Sequence, residues 1–198
     1  VCSSDLHRRF SFILPFGFLL SGFALLVSYL GQMNPQITPL MPVLVSPWLS
    51  IHVSLIMMSY ALLAFIMLNG ILALCLRKKE SENNVSGNDA IQDNRIEQLT
   101  LVSRLLLYPA TFFLGAGIFL GAVWANVSWG RYWAWDPKEV WALITFLVYG
   151  VAFHSQSLRI FRKPLFFHIY MILAFLTVLM TYFGVNYVLG GMHSYANA

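Results

Sequence analysis

The chain has 198 residues, of which 59% are hydrophobic and only 10% charged, with a formal net charge of +4. A water-soluble globule needs more charge to cover its surface, and basic residues divided among connecting segments make no nucleic-acid face, so both classes are excluded. The two cysteines, Cys2 and Cys75, lack metal-ligand spacing and are expected to form no disulfide and to carry no thiol chemistry.

Apolar runs of about 20 residues, enough to cross a hydrocarbon core of roughly 30 Å, recur along the chain and predict an all-α polytopic membrane protein with about five transmembrane helices. The first, residues 10–30, follows His7-Arg8-Arg9; it is too long for the apolar part of a signal peptide and no small-residue cleavage site follows it. Residues 31–47 carry no charge but four prolines, Pro35, Pro39, Pro42 and Pro47, which favour an extended loop at the membrane surface. The second run, 48–76, is longer than one crossing, so its first turns, with Trp48 and His52, stand at or above the interface. Arg77-Lys78-Lys79 closes it. Residues 77–100 read as a polar cytoplasmic loop, with 80–98 rich in Glu, Asn, Asp and Gly and without an apolar stripe. The third helix, 101–124, contains Arg104, expected to snorkel to the interface, and Pro109, expected to kink it.

Residues 125–139 form a tryptophan-rich connection. The fourth helix, 140–157, places His154 near its far end; Arg159, Arg162 and Lys163 make a basic turn; the fifth helix, 165–189, carries His168 in its first turn. In this five-helix arrangement every Lys and Arg except Arg131 and Lys138 falls on one side. The positive-inside rule then sets the N-terminus in the cytoplasm and the C-terminus and tryptophan-rich loop outside.

The stretch 129–141 holds four of the six tryptophans, interleaved with Arg131, Asp136, Lys138 and Glu139. Aromatic faces bury a planar apolar ligand, and a guanidinium or ammonium meets its acidic groups. Two alternatives stand beside that reading. An aromatic belt at a bilayer surface also collects Trp and Tyr, and Arg131 and Lys138 can pair locally with Asp136 and Glu139 instead of with a ligand. Asp136-Pro137 is expected to shape the loop and open the next helix, with Glu139 near the positive end of that helix.

The string Trp129-Gly130-Arg131-Tyr132-Trp133-Ala134-Trp135-Asp136-Pro137-Lys138-Glu139 resembles the WWD signature of haem-handling proteins in cytochrome c maturation, and is most like the CcsA/ResC type of the system II cytochrome c synthase. Pro47-Trp48-Leu49-Ser50-Ile51-His52-Val53-Ser54, Phe153-His154, Tyr182-Phe183-Gly184-Val185-Asn186-Tyr187 and His193-Ser194-Tyr195 look like the histidine-bearing segments of that family in the same order. The likeness covers about residues 39–195, and the chain reads as the C-terminal part of such a protein.

The resemblance implies that haem b is bound as a substrate, with His52 and His193 as external axial ligands of the iron and His154 at an inner haem site. It implies presentation of haem, and with it possible export, for covalent attachment to apocytochrome c bearing Cys-x-x-Cys-His, as part of a cytochrome c synthase that forms thioether bonds. Trp129, Trp133 and Trp135 would cover the porphyrin, Arg131 and Lys138 would meet the propionates, and Asp136 would hold the loop in shape. A CcsB/ResB-type membrane subunit, separate or fused, is the implied partner, in a bacterial inner or plasma membrane or a thylakoid membrane; lipid surrounds the protein and no nucleic acid is involved. No residue reads as a catalytic nucleophile or base. His168 matches no family histidine and is expected to be structural. His52 and His193 have a plainer alternative as interfacial side chains solvated by water or capping a helix end, and His154 has one as a side chain that snorkels to the interface one turn away. Delivery of haem to a separate chaperone, as in CcmC-like proteins, and a haem-independent transporter or scaffold are the rival functions.

Overall fold

The structure, a computed structural model, describes residues 15–22, 25, 46–82, 89–154 and 157–189. Residues 15–22 and 25 are helical and belong to the unit Val1–Pro42, and all the other described residues belong to the unit Val43–Ala198. The remainder of the expected first helix, most of the proline-containing connection and the segment with His193 lie outside the described residues.

Among the described residues the regular secondary structure of this second unit is entirely helical. Helix α1 spans Pro47–Glu82, α2 Asp89–Trp129, α3 Pro137–Val151 and α4 Pro164–Leu179, and α4 runs on into a π-helical segment, Met180–Leu189. Short 3₁₀ turns at Ala152–His154 and Arg159–Arg162 join α3 to α4. Three stretches, Pro47–Arg77, Asn94–Trp129 and Pro164–Leu189, are long and apolar enough to cross a membrane. The protein is an all-α polytopic integral membrane protein.

α1 and α2 form an antiparallel pair, as their cross-links show: His52 meets Gly117, Ser59 meets Ala110 and Asn69 meets Ser103. Lipid tails are as apolar as leucine, so helices in a bilayer associate through close packing and hydrogen bonds more than through the hydrophobic effect. Both devices are present here. Gly117 and Gly121, four residues apart on α2, let α1 approach so closely that a Cβ on Gly117 would lie 2.6 Å from Ile56 Cδ1. The Ser59 hydroxyl donates to the Ala110 carbonyl oxygen at 2.8 Å and the Asn69 amide to Ser103 Oγ at 3.2 Å, both fully buried. Around these bonds Leu63 and Ile66 of α1, Leu107 and Ala110 of α2, Tyr149 of α3 and Phe167, Met171, Ala174 and Val178 of α4 make the core.

Three local features differ from the sequence expectation. The polar stretch is helical on both sides of residues 83–88: α1 reaches Glu82 and α2 begins at Asp89. Polar residues hold that first part of α2 by bonds one turn apart, Gln98 to Asn94 at 3.3 Å and Thr100 to the Ile96 carbonyl at 2.8 Å, and packing buries Leu99 and Thr100. The helix expected at 140–157 begins earlier and ends at Val151, because Asp136-Pro137 starts it and the polar run after Phe153, His-Ser-Gln-Ser, favours local turns over continued helix. Arg104 turns inward: its Nη2 donates to the Phe161 carbonyl at 2.7 Å and its guanidinium lies 5.2 Å from the Phe167 ring centroid. That contact satisfies a 3₁₀ carbonyl inside the protein, which competes with snorkelling. Pro109 lies within α2, which remains one continuous helix.

Candidate functional site

The tryptophan-rich loop is shaped by backbone hydrogen bonds to two carboxylates. Gly130, at φ +71°, takes the chain out of α2 with its N–H on the Asn126 carbonyl, a left-handed position suited to glycine. α3 then opens with a reciprocal cap: Asp136 accepts from the Lys138 N–H at 3.3 Å, and Glu139 Oε2 accepts from the Asp136 N–H at 3.2 Å, with Pro137 in the first turn. Glu139 Oε2 also accepts from the Ala134 N–H at 2.8 Å. These two amides flank Trp135, whose φ of +58° is uncommon for a bulky residue. The glutamate thus grips both sides of a strained residue and holds its indole outward, 73% exposed.

Beneath the loop lies a cavity of about 390 Å³ with mostly apolar walls, within the range of about 300–1,000 Å³ usual for small-molecule sites. His52, Ile56 and Tyr60, spaced four residues apart on α1, form one wall; Gly121 and Trp124 of α2 form the second; Tyr132 and Trp133 of the loop and Thr181 and Tyr182 of the π-helical segment complete it. Lys138 and Glu139 stand at its edge with the start of α3.

The His52 ring is held in one tautomer. Its Nδ1 lies 2.7 Å from the Gly117 carbonyl oxygen, which can only accept, so Nδ1 carries a proton, and in the neutral ring the lone pair is on Nε2. A backbone carbonyl on one imidazole nitrogen is the usual means of presenting the other as a metal ligand. Gly121 makes the space for the ring, since a Cβ there would come within 2.7 Å of His52 Cε1.

The Lys138 ammonium donates to Asn186 Oδ1 at 2.9 Å, and Asn186 Nδ2 donates to the Tyr182 carbonyl at 2.6 Å. Burial lowers the lysine's pKa from its usual 10.5, and the charge of Asp136 pulls it partly back. A half-buried cation beside an apolar cavity is suited to an acidic group on a ligand.

Of the residues singled out in the sequence, the structure brings His52, Trp133 and Lys138 to one cavity. Trp129 instead packs edge-on against Trp124 at 4.9 Å between centroids, and Trp135 makes an edge-on contact with Trp133 at 6.0 Å. Arg131 is exposed, and Asp136, 6% exposed, serves as helix cap. His193 lies outside the described residues. His154 sits exposed in the 3₁₀ turn, about 24 Å from Lys138 by the rise along α3. His168 is buried and bonded to Thr100 Oγ1 at 2.9 Å, so the two inner histidines occupy different surroundings.

Sequence reasoning missed Tyr60, Tyr132, Thr181 and Gly121 as cavity residues, and Gly117 as the acceptor that holds His52. A signal existed for Tyr60, which lies two helical turns from His52 on the same face, and for Gly117 and Gly121, whose four-residue spacing is that of close helix contacts. No such signal marked Thr181, because its direction depends on the π-helical register.

The family described as cytochrome C assembly protein matches residues 3–193. The chain is 40% identical over 189 residues to protein NrfI of Wolinella succinogenes, covering 96% of the chain and 20% of that protein. It is 39% identical over 187 residues to the cytochrome c biogenesis protein CcsA of Chlamydomonas reinhardtii, covering 93% of the chain and 50% of that protein. To CcsA of Guillardia theta it is 36% identical over 182 residues, 84% of the chain and 60% of that protein. The chain therefore spans from a fifth to three-fifths of the length of these relatives.

Proposed function

Because the chain belongs to the cytochrome c assembly protein family, as a CcsA-type cytochrome c biogenesis protein, we propose that it binds haem b as a substrate and presents it for covalent attachment to apocytochrome c. The observation that carries this reading is the cavity in which a tautomer-fixed His52 faces aromatic side chains of the tryptophan-rich loop, with Lys138 at the edge. Such a site suits a flat apolar macrocycle with acidic substituents.

In this reading His52 Nε2 is one axial ligand of the haem iron and His193 the other. Tyr132 and Trp133 cover the ring, Trp129 and Trp135 brace the cavity walls through their edge-on contacts with Trp124 and Trp133, and Lys138 with Arg131 meets the propionates. Asp136 and Glu139 act through the backbone, holding the loop in place. His154, exposed beyond the end of α3, is the proposed inner contact by which haem enters before export. The distribution of Lys and Arg supports a cytoplasmic N-terminus and an external loop. Haem supplies the reactive vinyl groups, which the thiols of a Cys-x-x-Cys-His segment meet at the external face. The protein contributes orientation. A CcsB/ResB-type subunit, separate or fused, is the proposed partner in a bacterial or thylakoid membrane.

The test is an absorption spectrum of the full-length protein, co-expressed with its partner and purified in detergent, beside His52→Ala and His193→Ala. A bis-histidine haem spectrum weakened or altered by either substitution is the expected outcome. Absence of haem from every preparation would replace this reading with that of a haem-independent scaffold. Co-purification of a haem chaperone in place of an apocytochrome would favour the delivery role.

A further inference from the structure

A π-helix closes its hydrogen bonds five residues apart, so residues five apart come to nearly the same face, whereas in an α-helix they diverge by about 140°. In the segment Met180–Leu189 this register directs Thr181 and Tyr182 to the cavity and Asn186 to Lys138 on the facing helix. The Asn186 amide makes two bonds of opposite polarity. Its Nδ2 donates to the Tyr182 carbonyl at 2.6 Å, within the π-helical segment itself, and its Oδ1 accepts from Lys138 Nζ at 2.9 Å. Chemistry fixes this orientation of the amide, because an ammonium only donates and a carbonyl only accepts.

An amide oxygen orients an ammonium group without neutralising it. A carboxylate at the same point would hold the lysine more strongly but cancel its charge. The two nearby carboxylates, Asp136 and Glu139, both accept backbone N–H groups of the loop and cap, and the charge of Asp136 also acts on the lysine. We propose that Asn186 is a positioning residue that holds the Lys138 ammonium at the cavity, without itself adding a countercharge, for a carboxylate carried by the bound ligand. The inference rests on the haem-binding reading and deepens it: the carboxylate is a propionate, and Asn186 confers selectivity for ligands that carry one.

The probes are haem b and its dimethyl ester, in which both propionates are blocked, titrated into the haem-free full-length protein with its partner. For wild type, haem b is expected to bind more tightly than the ester. Asn186→Ala is expected to weaken haem b about tenfold, the scale of a hydrogen bond to a charged group, while the ester's affinity stays within about twofold. Asn186→Asp keeps an acceptor for the ammonium but neutralises it, and is expected to lose as much as Asn186→Ala. Lys138→Ala combined with Asn186→Ala is expected to be no weaker than Lys138→Ala alone, since Asn186 acts through the lysine. Equal losses for haem b and its ester would overturn the proposal in favour of a merely structural asparagine, and so would wild-type haem affinity in Asn186→Asp. Wild-type protein that binds both forms equally well would remove the lysine's role while leaving haem binding intact. Wild-type protein that binds neither would end the haem reading, and this inference with it.

Discussion

His52 and Gly121 occupy one point of the α1–α2 interface: a Cβ on Gly121 would lie 2.7 Å from His52 Cε1 and 2.9 Å from Nδ1. The missing side chain makes room for the ring to reach the Gly117 carbonyl. Gly121→Ala is therefore expected to displace the imidazole, at an overpacking cost of about 1–3 kcal/mol against a gain of about 1 kcal/mol in helix propensity. The absorption spectrum of haem-loaded protein should change while the protein still accumulates in the membrane. Gly150→Ala is the control, because a Cβ there meets nothing within 4 Å. A normal spectrum for Gly121→Ala would show that the ring's place is not set by this contact.

Glu139 holds the loop through two backbone amides, at Ala134 and Asp136. Glu139→Ala is expected to cost about 1–3 kcal/mol locally and to let Trp135 leave its left-handed conformation. Hydrogen exchange at residues 134 and 136 should rise at least about tenfold, whereas Glu139→Gln, which keeps an acceptor oxygen, should show a smaller rise. Unchanged exchange in Glu139→Ala would mean that the loop is held elsewhere.

Lys138 gives the site an alkaline limit. Its pKa is lowered by burial in the folded protein, so the neutral form is favoured there relative to the unfolded chain. Its contribution to stability is fully present above 10.5 and is lost as pH falls through the folded value. Binding of a carboxylate-bearing ligand runs the opposite way, because the ammonium is needed. Affinity for haem b is expected to decline with rising pH before an ordinary lysine would titrate, and Lys138→Arg, which keeps its charge, should flatten that decline. A decline unaltered in Lys138→Arg would assign it to another group.

Thr100 and Tyr149 offer a contrast in buried polar groups. Thr100 Oγ1 donates its proton to the Ile96 carbonyl, so it must accept from His168 Nε2–H, and Thr100→Val leaves that N–H without an acceptor. A loss of about 1–3 kcal/mol is expected. The Tyr149 hydroxyl is buried without a hydrogen-bond partner among the described residues, and Tyr149→Phe is expected to be neutral or stabilising. Thermal unfolding in detergent compares the two. A destabilisation by Tyr149→Phe as large as that by Thr100→Val would contradict this ordering.

The all-α membrane class was legible in the sequence because run length and hydropathy are local properties, and the bilayer admits few ways to satisfy a buried backbone. The cap that opens α3 was legible too, since Asp136-Pro137 with Glu139 three residues on is a local pattern. The end of α3 was only partly legible: the polar run from His154 favours turns, but the helix stops earlier, at Val151, where packing buries Ala152 in the core beside Phe161. The inward turn of Arg104 was hidden for the same reason, because its acceptor, the Phe161 carbonyl, is distant in sequence.

By itself the sequence determined that this is a helical membrane protein whose tryptophan-rich connection, with its interleaved charges, is the place to look for a ligand. The family followed from the same local strings. Only the tertiary structure decided which side chains share the cavity. A one-residue change of helical register turns a side chain by about 100°, and register here is set by close packing at Gly117 and Gly121 and by the π-helical segment. For that reason His52, Trp133 and Lys138 meet Tyr60, Thr181 and Asn186, while Trp135, only two residues from Trp133, faces away from them.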